Sequence, residues 1–185
     1  MIQPLARTHA DNSALLVVDL QEKLMPAIHE GGRVLEQCRK LIQAARLLKL
    51  PILVTEQYPK GIGPTCADIK QALGEAPVVE KLTFSGCGVE PFWVAWKSFA
   101  RPNAIVCGVE AHVCVQQTVL DLIEHGQTVF VLADAVGSRR ALDAEIALRR
   151  MHDAGAIITT TESVIFELLG RAGTPEFKEV LKLVK

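Results

Sequence analysis

Short apolar runs alternate with segments of helical period from one end of the chain to the other. Ala14–Val18 is an unbroken apolar run closed by Asp19. From Pro26 to Leu48, with an interruption at Gly31–Gly32, apolar residues recur at Val34, Cys38, Leu41, Ala45 and Leu48, the three-and-four spacing of an amphipathic helix. Further strands are predicted at Ile52–Thr55, Pro77–Lys81, Ala104–Gly108, Thr128–Ala133 and Ala156–Thr160. Helices are predicted at Cys66–Leu73, Glu90–Ala100, His112–His125 and Leu142–Ala154, with Ser163–Leu169 and Pro175–Val184 helical at the end of the chain. Pro91 suits a helix start, and Gly126 and Gly155 suit helix ends. Tyr58–Thr65, with Pro59, Gly61, Gly63 and Pro64, reads as a loop.

The strands are continuously apolar rather than alternating, so both faces of the sheet are buried. Strands separated by helices require right-handed crossovers and therefore a parallel sheet. The expected fold is α/β: a three-layer α/β/α, Rossmann-like arrangement of about six parallel strands. Repeats, low-complexity segments and linkers are absent from the sequence, so residues 1–185 are expected to form a single domain.

Composition narrows the function classes. The chain is 49% apolar and 22% charged with a formal net charge of -1, so no long-range field draws in nucleic acid or a membrane surface. The longest apolar runs are strand-sized. Met1–Asn12 lacks the basic and apolar regions of a leader peptide. Five cysteines, at 38, 66, 87, 107 and 114, have irregular spacing with no CxxC, and the histidines show no metal-ligand spacing. Free thiols, a cytoplasmic location, no metal and no cofactor are expected, with a small molecule as substrate. A dinucleotide fold is disfavoured, because Val18-Asp19-Leu20-Gln21 follows the first strand where a glycine-rich loop would be needed.

Ligands of open parallel sheets bind beyond the carboxyl ends of the strands. Asp19 ends the first strand, Thr55-Glu56-Gln57-Tyr58 the second, Glu80-Lys81 the third, Gly108 to Cys114 follows the fourth, and Asp134 ends the fifth. Taken singly, each has an ordinary alternative: Asp19 a cap or ion-pair partner, Lys81 a solvated charge, Cys114 a small buried hydrophobe. Taken together they make a nucleophile, a base and an electrostatic aid. In the first turn of a helix, amide N–H groups and the macrodipole would stabilise a Cys114 thiolate, and Lys81 would lower its pKa further. Asp19 could carry the proton, and the amides of Val113 and Cys114 could hold an oxyanion. Gln21, Glu56, Gln57, Tyr58, Phe84 and His112 follow these strand ends and are candidate pocket residues, with loop packing as the alternative for each. Cys38 and Cys107 read as structural, whereas Cys66 and Cys87 fall in loops near the expected pocket mouth.

Three segments carry a family resemblance. Leu15-Leu-Val-Val-Asp19-Leu-Gln21, Val79-Glu-Lys81 and Cys107-Gly-Val-Glu-Ala-His-Val-Cys114 resemble, in order, the motifs of the isochorismatase-like hydrolases. Thr55-Glu-Gln-Tyr-Pro59, Gly61–Thr65, Lys81-Leu-Thr-Phe-Ser85 and Thr118–Gly126 are similar to the isochorismatase-domain-containing subgroup. The resemblance implies a Cys114 nucleophile with Asp19 and Lys81, a cis peptide at Val109–Glu110, and a homo-oligomer. Nicotinamidases of this kind place a metal-binding Asp-x-His after the second strand, where this chain has Thr55-Glu56-Gln57; isochorismatases proper lack the cysteine. The sequence therefore points to metal-free attack on a carbonyl carbon, most simply of an amide or related C–N substrate. A silent binding protein on the same scaffold, or a thiol redox enzyme with Cys66 or Cys87 as resolving partner, are the competing classes.

Overall fold

A computed structural model describes residues 6–184; the expectations that extend over residues 1–5 and 185, including part of the Met1–Asn12 stretch, lie outside the described residues. The strands are β1 (Ser13–Val18), β2 (Ile52–Gln57), β3 (Val78–Lys81), β4 (Asn103–Val109), β5 (Thr128–Gly137) and β6 (Ile157–Thr159). The helices are α1 (Gly31–Leu47), α2 (Pro59–Ile62), α3 (Ala67–Leu73), α4 (Glu90–Ser98), α5 (Gln116–Glu124), α6 (Ala141–Asp153), α7 (Thr161–Leu169) and α8 (Pro175–Val184). The strands form one six-stranded sheet in the order β3-β2-β1-β4-β5-β6, with every neighbouring pair parallel. This is the α/β/α Rossmann-like arrangement the apolar pattern predicts.

Alternation along β1 divides the core. Leu15 and Val17 pack into one layer with Cys38 and Leu41 of α1, Ile69 of α3, Val164 of α7 and Val180 of α8. Ala14, Leu16 and Val18 pack into the other with Phe92 and Trp96 of α4, Val119 of α5 and Met151 of α6. Successive strand side chains point to opposite faces, so a wholly apolar strand must be covered twice. Among the described residues no helix is long and apolar enough to cross a membrane.

Several boundaries differ from the sequence expectation. The Pro26–Leu48 segment is a 3-10 turn at Met25–Ala27 followed by α1, because Glu30, directly before α1, has a left-handed φ of 50°. The Tyr58–Thr65 loop contains the helical turn α2, started by Pro59 at its first position. β5 does not stop at Ala133: it runs to Gly137 after a register irregularity against Val106 and Gly108. Asp134 therefore lies within a strand, and its carboxylate caps α7 by accepting from the amide and hydroxyl of Thr161 at 2.8 and 3.0 Å.

The strand order reverses direction between β1 and β4, and a parallel sheet opens a crevice at such a point. Close approach there depends on Gly108. A Cβ on this residue would sit 2.0 Å from the Val18 carbonyl oxygen, and its φ of 124° is one that side-chain-bearing residues avoid.

Candidate active site

Asp19 follows β1, Lys81 closes β3, and Cys114 follows β4, so three separate strand ends meet around the crevice. The Lys81 ammonium donates to Asp19 Oδ2 at 2.7 Å, to Gln57 Oε1 at 2.8 Å and to the Phe84 carbonyl at 3.0 Å. An ammonium has three N–H donors, and all three are therefore engaged by the protein. Both members of the Asp19–Lys81 pair have fully buried side chains. The second Asp19 oxygen accepts from the Thr55 hydroxyl at 2.7 Å. Asp19 itself has a left-handed φ of 51°, a conformation aspartate tolerates better than most residues.

Cys114 adjoins this pair. Its Sγ lies 3.9 Å from Gln57 Oε1, the same oxygen that accepts from the Lys81 ammonium, and the charges of Asp19 and Lys81 both bear on the thiol's acidity. The Gln57 amide nitrogen donates to the Leu82 carbonyl at 2.9 Å, which directs its oxygen toward Lys81 and the sulfur. The thiol's acidity reverses the sequence expectation. Burial pushes the Cys114 pKa up to about 12, the Asp19 carboxylate pushes in the same direction, and Lys81 offsets only part of this. The helix start does not win, because the sulfur is withdrawn from water beside an anion.

Local backbone explains the placement. Cys114 does not sit in a regular first turn of α5 but in a π turn, Ala111–Val115, that precedes it. The Glu110 carbonyl accepts from both Val113 and Val115 amides at 3.1 and 3.2 Å. Val113 is thus not a free oxyanion donor, since its N–H is already used; the Cys114 amide remains the candidate. The Val109–Glu110 peptide that leads into this turn is cis.

The other candidate pocket residues separate by role. Gln57 belongs to the site, through Lys81 and Cys114. Gln21 is a structural pin: its amide bonds both the N–H and carbonyl of Gln57 and the carbonyl of Gly63. Glu56 is another, accepting from the amide and hydroxyl of Thr65 through one oxygen. Phe84 contributes its carbonyl, and its ring is 54% exposed. His112 Nδ1 pairs with the Ser138 hydroxyl at 2.9 Å. Tyr58 stands half-exposed with Pro59, Lys60, Leu82, Thr83 and Val89 around a cavity of about 440 Å³ that reaches Lys81.

Sequence reasoning missed Thr55, Ser85, Thr118, Asp121 and Ser138. Thr118 carries the clearest overlooked signal. It lies one helical turn beyond Cys114, and its hydroxyl donates to the Cys114 carbonyl at 2.7 Å while accepting from the Gly86 amide at 2.9 Å. Cys87 lies in the same core layer as Cys114, whereas Cys66 packs against the opposite one, so Cys66 is not placed to resolve a Cys114 disulfide. No group of three or more metal-ligating side chains is gathered among the described residues.

This crevice, with its strand order and converging strand-end side chains, is that of a Rossmann-like α/β protein with a buried cysteine, aspartate and lysine. The isochorismatase domain matches residues 13–163, and the chain belongs to the isochorismatase family. It is 39% identical to isochorismatase domain-containing protein 2 of Danio rerio over 97% of this chain and 90% of that one. In structure it resembles a protein from Caenorhabditis elegans described as MAR1 ribonuclease, at 46% identity and a TM-score of 0.92, covering 97% of this chain and 92% of the other. It also resembles the YcaC gene product of Escherichia coli, described as an octameric hydrolase of unknown specificity, at 27% identity and a TM-score of 0.92, covering 98% and 92%.

Proposed function

We propose that the chain is a metal-free cysteine hydrolase that cleaves a C–N bond of a small amide or related carbonyl compound. The observation that carries this reading is the fully buried Asp19–Lys81 pair, linked to the Cys114 thiol through Gln57 Oε1, which lies 2.8 Å from the Lys81 ammonium and 3.9 Å from the sulfur. A thiol held near pKa 12 is protonated at neutral pH, so its proton must leave as the new bond forms. Asp19, whose carboxylate bears on that thiol's acidity, is the base. In the first half, Asp19 accepts the proton, sulfur bonds to the carbonyl carbon, and the C–N bond breaks as the amine leaves with the proton from Asp19. In the second, water attacks the thioester and gives Asp19 a proton. The C–S bond then breaks and the sulfur regains that proton. The sum is amide plus water to acid plus amine. Lys81, 2.7 Å from Asp19, steadies the charge that passes through the site, and the Cys114 amide faces the developing oxyanion.

The similar protein from C. elegans bears the name of a ribonuclease. For this chain a small neutral carbonyl substrate is better supported than a phosphodiester, because all three Lys81 donors are spent within the protein. The reading takes residues 1–185 as one such domain. It places the protein in a reducing, cytoplasmic compartment, supported by five unpaired thiols. It also assigns a homo-oligomer, supported by the octameric E. coli protein and by the exposed apolar Leu142 and Ile146 on α6. Light scattering tests the last point, and a monomer at micromolar concentration rejects it.

The deciding experiment is a screen of small amides, imides and ureas, with an RNA oligonucleotide alongside, against wild type and Cys114→Ala. Turnover of a C–N substrate that disappears in the variant supports the proposal. Activity retained by Cys114→Ala, or cleavage of RNA alone, overturns it. Thiol oxidation coupled to Cys87 would favour the redox class, and a specific ligand bound without turnover would favour a silent binding protein.

A further inference from the structure

The third acceptor on Lys81, the Phe84 carbonyl, comes from the segment between β3 and α4. Cys87 and Val89 pack this segment's far end on the core, but the part next to Phe84 is not held by its own apolar side chains, since Leu82 is 74% exposed and Phe84 54%. Near Phe84 the anchors are polar, and those from outside the segment come from α5. The Ser85 hydroxyl donates to Asp121 Oδ2 at 2.5 Å and accepts from the Cys87 amide at 3.1 Å. The Thr83 hydroxyl donates to the Ser85 carbonyl at 2.8 Å, and the Gly86 amide donates to Thr118 at 2.9 Å. Cys114, Thr118 and Asp121 follow one another at four and three residues, so they share a face running from the nucleophile down α5.

We propose that Asp121, acting through Ser85, is a positioning residue that holds the Phe84 carbonyl on Lys81; its functional meaning rests on the hydrolase reading, its structural effect does not. Thr118 contributes to the same loop but also touches the Cys114 carbonyl, so its replacement would disturb the nucleophile directly. Asp121 touches neither Asp19, Lys81 nor Cys114 through a hydrogen bond, and its carboxylate is not among the groups that set the Cys114 acidity. An effect of Asp121 on Lys81 must therefore travel through the Ser85 contact. A bond to a carboxylate is among the stronger hydrogen bonds available to hold a loop.

The test uses the full chain uniformly labelled with 15N. The Lys81 ammonium resonance is identified by its absence in Lys81→Arg, and its hydrogen exchange with water is measured. In wild type three fixed acceptors protect it. Asp121→Ala and Ser85→Ala should speed its exchange about tenfold, the loss of roughly one hydrogen bond's worth of protection. Asp121→Asn, which keeps an acceptor oxygen for Ser85, should restore most of the protection. The Thr161 amide, capped by Asp134, serves as the remote reference and should not change. Wild-type exchange at Lys81 in both alanine variants overturns the proposal, as does an equal acceleration at Thr161, which would mean general loosening. If Asp121→Ala fails to fold, Ser85→Ala decides alone. Faster Lys81 exchange with no amide turned over by wild type would leave the positioning role standing and reject the hydrolase reading instead.

Discussion

Lys81 places its ammonium 2.7 Å from the Asp19 carboxylate, and neither side chain reaches solvent. Two buried charges are tolerated only as a pair whose remaining valences are filled. Here Thr55 fills the second Asp19 oxygen, and Gln57 and Phe84 fill the other Lys81 donors. Breaking one side strands the other.

Lys81→Met should therefore destabilise the fold by about 3–5 kcal/mol, because Asp19 is left buried without its ion-pair partner. The double variant Lys81→Met/Asp19→Asn should recover part of that loss. Urea denaturation of the two singles and the double measures the coupling; strict additivity would show that the pair is not energetically linked.

Thr55→Val removes the hydroxyl that bonds Asp19 while keeping the shape of the side chain. A hydrogen bond to a charged group is worth about 1.5–3 kcal/mol, and this amount should be lost from stability. Turnover of any substrate found should fall with it, as Asp19 becomes free to rotate. A variant indistinguishable from wild type in both measurements would remove Thr55 from the site.

Asp19 raises the Cys114 pKa and Lys81 lowers it. Asp19→Asn should thus leave Lys81 unopposed, lower the thiol pKa from about 12 and speed alkylation at pH 9 by about tenfold or more, even as turnover of any substrate found falls. Iodoacetamide labelling, read by peptide mass spectrometry, checks the sign; slower labelling of Cys114 in the variant contradicts it.

Alkaline stability follows from the same shift. Cys114 and Cys87 are both raised to about 12, while an unfolded thiol titrates near 8.5. The folded chain keeps these protons where the unfolded chain releases them. Their contribution to stability is thus complete below about pH 8.5 and is lost as pH rises from there toward 12. Denaturation midpoints should decline across that window, and a Cys87→Ala/Cys114→Ala chain should decline less. Equal slopes would reject the assignment of the loss to these thiols.

Gly108→Ala should not yield a stable fold. The added Cβ would meet backbone at 2.0 Å, and backbone cannot swing aside as a side chain can. A loss of at least about 4 kcal/mol is expected. A soluble variant with an unchanged melting temperature would show that β1 and β4 can separate more easily than their register implies.

Much of this protein was legible without coordinates. Continuous apolar runs such as Ala14–Val18 can only be buried on both faces, and the helical periods between them demand parallel crossovers; the layered sheet follows from those facts. Asp19, Lys81 and Cys114 could be picked out because strand ends in such a sheet share one edge. The sequence could not show how those side chains meet. Gln21 and Glu56 looked like pocket residues and are loop pins, because an amide and a carboxylate at a strand end suit either task until their partners are known. Asp134 appeared to end a strand and instead caps α7, a contact 27 residues away along the chain. The acidity of Cys114 was decided by tertiary structure alone. Helix position and a nearby lysine are visible in sequence and argue for a low pKa; burial and the distance to Asp19 are not, and they dominate. Periodicity is a local property and survives in one dimension, whereas solvation and charge proximity exist only once the chain has closed around the site.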